Sequence, residues 1–343
     1  MLGKGLQVAL LVGSLALAAA GGALLFASPI GAAEVTISVA ATGDGTGSCS
    51  GSGTSLTCPS LRAAVMKANE LTDPVTIELD AGTYQLTVPP ATDDTAETGD
   101  LDITKRSGAL TVRGEGSGQT AITGAWSGEA DRLFDVGPGS TLVLKGVRLT
   151  GGRAVHDDAR DHDGGAVWVG GVLQLGDVVF EDNHAAADGG AIYVAPSGTV
   201  TTLSGARVTF RENTAGESGE DGTPGSGGAL AVAGTVVLDG TVAFTGNSAT
   251  ETGGAVHVAG GRLVLGSQAV IGGPGDDAAN RAGTDGGGLS LDGGLVELQG
   301  TLVQGNLAPT DVTEGDSGRG GGIWVAKGQL TLRNAVVAAN QAS

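Results

Sequence analysis

The side chains of this chain best suited to chemistry are carboxylates, and they gather in three places. Residues 156–163 read His156-Asp157-Asp158, then Asp161-His162-Asp163. These are metal-ligating types, but they lack a fixed ligand spacing, so the stretch reads first as a solvated acidic loop. Gly272-Gly273-Pro274-Gly275-Asp276-Asp277 matches the Gly-Gly-x-Gly-x-Asp calcium nonapeptide once, whereas such sites complete their oxygen shell from stacked copies. Asp163 and Asp188 each stand just before a Gly-Gly pair and are expected side by side, about 5 Å apart, where two charges repel unless a cation or solvent intervenes. The combined expectation is weak calcium binding on Asp163, Asp188, Asp276 and Asp277, and no other cofactor.

A second set is aromatic. Trp168, Tyr193, Ala231, His257, Ser290 and Trp324 hold equivalent places in successive copies of a repeat, at a position predicted to face outward. Trp168 and Tyr193 are then expected to be exposed neighbours. Cross-strand packing accounts for such a row. Its functional reading is a sticky strip for a glycan or protein partner, using Trp168, Tyr193, His257 and Trp324. No catalytic residue is expected. A polysaccharide lyase needs a base beside cation-binding acids, and a hydrolase needs paired carboxylates on a groove. The arginines and lysines are instead scattered over unrelated columns. A polysaccharide lyase or glycoside hydrolase is the alternative to a non-catalytic binder.

These residues must be positioned by a repeat. Gly164-Gly165-Ala166-Val167-Trp168-Val169 leads to Phe180-Glu181-Asp182-Asn183, and the pattern recurs from Gly189, Gly227, Gly253, Gly286 and Gly320. The copy from Gly253 is a broken one, ending near Asn280. Apolar residues alternate with period two, which is strand periodicity. Val167, Ile192, Leu230, Val256, Leu289 and Ile323 form one column, and Phe180, Phe210, Phe244, Val303 and Val337 another. Three short strands per unit of about 26 residues describe one coil of a parallel β-helix, with about nine or ten coils in all. The paired glycines supply sharp corners. Asn183, Asn213, Asn247, Asn306 and Asn340 recur after the third strand and are expected to stack as an amide ladder.

The Gly-Gly-Ala-(Ile/Val/Leu) and Phe-x-x-Asn pairing resembles the repeats of the polymorphic outer-membrane protein family. Cys58-Pro59-Ser60-Leu61-Arg62-Ala63-Ala64 through Ala68-Asn69 is similar to the CSLREA domain that opens many secreted β-helix proteins. It departs from that pattern by the inserted Pro59 and by Ala63 in place of a glutamate. The resemblance implies an all-β, right-handed parallel β-helix at a cell surface.

Composition agrees with export. Glycine is 64 of 343 residues without a collagen period, so it serves turns. The formal net charge of -19 makes nucleic acid a poor partner. Residues 1–33, with Lys4 before an apolar run and Gly31-Ala32-Ala33 as a cleavage site, read as a secretory signal or an uncleaved anchor. Cys49 and Cys58 are expected to form a disulfide, consistent with an oxidising, extracellular setting. Residues 34–74 then form an N-terminal cap whose helix starts at Ser60, 75–163 form degenerate coils, and 164–343 form the regular repeats. Insertions at 153–163, 216–225 and 309–319 all precede a Gly-Gly pair and should project from one edge. Because the chain stops after a third strand, it is expected either to continue in a longer protein or to stack end to end with a partner. Any membrane contact would run through the leader or an anchor beyond Ser343.

Overall fold

A computed structural model describes residues 33–91, 95–155, 162–217, 222–308 and 318–342. They form a parallel β-helix with one helix. Residues 1–32 lie outside the described residues, as do most of the His156–Asp163 cluster and parts of the insertions.

A regular coil opens on a three-residue first strand such as Val167–Val169. The chain then continues through Val172–Glu181, one strand bent so that it supplies the second and third faces. The bend falls at Gly176 and Asp177, and Asp177 takes a left-handed φ of 59°. Identical columns stack because each lap lies on the previous one in parallel register. Ile192 pairs with Val167 on one side and Leu230 on the other. The second face carries ten rungs in one column: Val35, Val75, Leu110, Leu142, Leu173, Val200, Val236, Leu263, Val296 and Leu330. On the third face Phe180, Phe210, Phe244, Ile271, Val303 and Val337 align. The coil from Gly253 is therefore structurally regular. Its repeat is hidden by an insertion between Ile271 and Asn280.

The coil also has a fourth strand, beyond the three expected. Arg153–Ala154, His184–Ala185, Thr214–Ala215, Ser248–Ala249, Arg281–Ala282, Leu307–Ala308 and Gln341–Ala342 form a separate parallel sheet. Ala154, Ala185, Ala215 and Ala308 are fully buried, so this narrow side admits only a methyl group. Arg153 and Ala154 therefore belong to the rod, and the insertion begins after them.

Two further corners use left-handed backbone. The first glycine of each pair has φ of 65–70°: Gly164, Gly189, Gly227, Gly253, Gly286 and Gly320. A Cβ on Gly253 would sit 2.3 Å from the Val256 carbonyl oxygen, which excludes any side chain. The residue before most ladder asparagines is also left-handed, at Asp182, Glu212, Gly246, Gly305 and Ala339, whereas Ala279 before Asn280 is extended.

The asparagine ladder at this second corner is continuous. The Asn183 amide donates to Asn213 Oδ1 (3.0 Å), Asn213 to Asn247 (2.9 Å), Asn247 to Asn280 (2.9 Å), Asn280 to Asn306 (2.8 Å) and Asn306 to Asn340 (2.8 Å). Asn280 was not expected in it. Each amide also donates to the carbonyl that ends the third strand one lap earlier, as Asn213 does to Phe180.

The N-terminal end is closed by a lid. The helix Leu61–Glu70 starts at Ser60, whose hydroxyl accepts the Ala63 N–H, and buries Leu61, Ala64, Val65 and Ala68. An antiparallel hairpin, Ser50–Ser52 with Ser55–Cys58, lies on Val35–Val39, and the Cys49–Cys58 disulfide holds its base. Arg62 is fully buried and purely structural. It forms a bidentate pair with Asp44 (2.8 and 3.0 Å) and donates to the carbonyls of Ala96, Gly99 and Asp100. Burial would raise the Asp44 carboxyl, but Arg62 and the N–H groups of Val88 and Thr87 hold it below the usual carboxylate range.

Candidate functional site

The outward row on the first face is real and longer than expected. Asp102, Asp135, Trp168, Tyr193, Ala231, His257, Ser290 and Trp324 pair in register along the rod. Trp168 and Tyr193 are adjacent but half-buried, not exposed. The Trp168 ring folds over Gly170, where a Cβ would come within 2.5 Å of it. Burial pushes the Tyr193 hydroxyl above its usual pKa, with help from Asp163 and Asp188.

The row dips where Ala231 follows Tyr193, and beyond the dip lies a cleft of about 390 Å³. His257 and Trp324 line it together, whereas Trp168 and Tyr193 do not. Its inner wall is a hydroxyl relay. Ser290 donates to Thr252 (3.1 Å), Thr252 to Ser226 (3.2 Å), and Ser226 to the Glu251 carboxylate (3.3 Å). His257 Nδ1 lies 2.7 Å from Ser290 Oγ. Thr252 Oγ1 lies 3.2 Å from the same nitrogen, so both hydroxyls of the relay meet the imidazole at Nδ1. Burial pushes the His257 imidazole below its usual range, against the pull of Asp188, Asp292 and Glu251. At the rim, Arg319 pairs with Asp285 (3.1 and 2.7 Å) and lies 5.1 Å over the Trp324 ring. Ser290 is fully buried, so its place beside a histidine does not make it a nucleophile.

The residues before each Gly-Gly pair form a second ladder. Asp163 Oδ1 accepts the Asp188 N–H (3.0 Å), Asp188 Oδ1 accepts that of Ser226 (2.8 Å), and Asp285 Oδ1 accepts that of Arg319 (2.7 Å). Asp163 and Asp188 are thus neighbours, as expected, but each holds the next lap's backbone. Burial raises the Asp163 carboxyl to about 6, with the Asp188 N–H opposing the rise and the Asp188 charge adding to it. Asp276 and Asp277 sit elsewhere, on an exposed 3-10 turn at the asparagine corner. The structure does not unite the four expected calcium ligands, because the two pairs occupy different corners of the coil.

Sequence reasoning missed a third group. Asp100, Asp102 and Asp135 bring carboxylate oxygens within 4.8 Å of one another. Asp131 Oδ2 accepts the Asp100 N–H, and Arg132 lies 3.7 Å from Asp100 and 3.5 Å from Asp135. Burial pushes the Asp100 carboxyl well up, with Asp131 and Asp102 adding to it and Arg132 opposing. An all-oxygen set of this kind suits a hard cation; Arg132 supplies positive charge beside it. Aligning Leu101-Asp102-Ile103 with Phe134-Asp135-Val136 would have revealed the group.

Two stretches, 177–195 and 241–259, match the model of the Chlamydia polymorphic membrane protein repeat. Each match runs from a third strand through the ladder asparagine, the fourth strand and the Gly-Gly corner into the next first strand. The repeat that the family model describes therefore spans the asparagine corner and the Gly-Gly corner of this rod. No curated protein and no solved structure matches the chain.

Proposed function

We propose that this chain is a surface-displayed β-helical rod that binds an extracellular glycan or protein partner through its first face, without catalysis. The observation that carries this reading is the His257–Trp324 cleft, a concave site with an aromatic wall and ordered polar groups, on a rod two stretches of which match the polymorphic membrane protein repeat. The Cys49–Cys58 disulfide and the likeness of residues 58–69 to the opening of secreted β-helix proteins support an extracellular location. The clustered acids Asp100 and Asp102 are buried, and so is the Ser290 oxygen beside His257.

The test is a glycan and protein-ligand array probed with the wild type and with Trp324→Ala, both checked for fold by circular dichroism. Binding that disappears in the variant supports the reading. Binding unchanged by loss of Trp324 moves the site off the cleft. Unsaturated product from polygalacturonate or alginate would overturn the non-catalytic part.

A further inference from the structure

Resting on that reading, we propose that the cleft recognises an amino sugar, through an ammonium group held by Asp188 and Glu251 and a ring placed beside Trp324. The charge in the cleft points this way. Four carboxylates line it: Asp188, Glu251, Asp285 and Asp292. Asp285 is matched by Arg319 in a bidentate pair, and Asp292 has Lys327 at 3.4 Å. Among the described residues, the Asp188 and Glu251 carboxylates have hydrogen bonds only from neutral partners, the Ser226 N–H and the Ser226 hydroxyl. The net charge of -19 reinforces the field that draws a cation in.

The hydrogen-bond polarity agrees. The relay from Ser290 through Thr252 and Ser226 spends its protons inward, ending on Glu251. His257 lines the same wall. The carboxylates of Asp188 and Glu251 accept and cannot donate, so a ligand group that meets them must bring donors, as ammonium and hydroxyl groups do. Trp324 gives an apolar plane for a sugar ring. A cleft of about 390 Å³ holds a short oligosaccharide and lies at the small end of ligand sites, roughly 300–1,000 Å³. An anionic glycan would meet the uncompensated carboxylates and be repelled.

The probes are a glucosamine oligomer, its N-acetylated counterpart and tri-lysine, measured by calorimetry on the full chain. The glucosamine oligomer should bind at least about tenfold more tightly than the neutral oligomer, a factor worth about 1.4 kcal/mol. Glu251→Gln and Asp188→Asn, which keep the acceptor oxygens that hold Ser226, should each weaken it by about tenfold. Equal binding of the acetylated oligomer, lost in Trp324→Ala, would overturn ammonium recognition while sparing the cleft as a binding site. Tri-lysine binding as tightly as the sugar would overturn the ring's role. No binding of either sugar would overturn the amino-sugar assignment and leave the array to judge the cleft.

Discussion

Asn213 donates its side-chain amide to Asn247 Oδ1 at 2.9 Å, and the backbone N–H of Asn213 reaches the same oxygen at 3.1 Å. One carbonyl therefore caps both the side chain and the left-handed corner of the lap before it. Replacing Asn213 by Ala strands the Asn183 N–H and amide and the Phe180 carbonyl, all buried. The expected loss is about 3–4 kcal/mol. Asn340→Ala, at a partly buried rung where water can substitute, should cost about 1 kcal/mol. Urea unfolding midpoints of the two variants check this, and equal losses would show that the ladder is not what holds the corner.

Phe180, Phe210 and Phe244 stack with centroids 4.9 and 4.7 Å apart and nearly parallel planes. Phe210 is the middle ring and is in contact on both sides. Phe210→Ala should lose about 3–5 kcal/mol, while Phe210→Leu, matching the Ile and Val that fill this column elsewhere, should lose about 1–1.5 kcal/mol. Thermal unfolding of both variants reads the difference. A similar loss in the two would mean that the aromatic stack adds little beyond filling space.

Much of this rod was legible in the sequence, and the gaps have physical causes. The columns through Ile192 and Phe210 could be read because each inward residue sees the same neighbour one lap away, so the same residue type recurs. The Gly-Gly corners could be read because only glycine tolerates that backbone. Ile271 and Asn280 were lost to an insertion that spoils spacing without disturbing register. The fourth strand escaped because two residues carry no periodicity, and its alanines look like loop. Asp102 and Asp135 escaped because the early coils lack the Gly-Gly signature that would have aligned them. The cleft depends on where loops bring Glu251 and Arg319, which spacing along the chain does not encode.

The Cys49–Cys58 bond closes a short loop, with a sequence separation of 9. Loop-closure entropy gives about 2.5 kcal/mol for a loop of that size. A Cys49→Ser, Cys58→Ser double variant should unfold its N-terminal lid first, since repeat rods lose laps from an exposed end. Hydrogen exchange should rise in Val35–Val39 and Leu61–Glu70 before the Phe210 coil. Uniform loss of protection along the rod would show that the lid is not a separate unit.

Asp163 supplies a pH signature. Its carboxyl is raised from 3.8 to about 6 by burial, against the hydrogen bond from the Asp188 N–H; the Asp188 charge adds to the rise, and Arg132 and His162 pull the other way. The folded chain holds this proton more tightly than the unfolded chain, so the group's contribution falls as pH rises from about 4 through about 6 and then levels off. Asp163 is only half-buried, and after discounting for solvent screening the change is of order 1 kcal/mol. Asp163→Asn keeps an oxygen for the Asp188 N–H but has no proton to lose. The difference in stability between Asp163→Asn and wild type should therefore grow in favour of the variant between pH 4 and 6.5, as read by urea midpoints. A difference that stays flat over that range would show that Asp163 titrates normally and that its place beside Asp188 is already relieved by solvent.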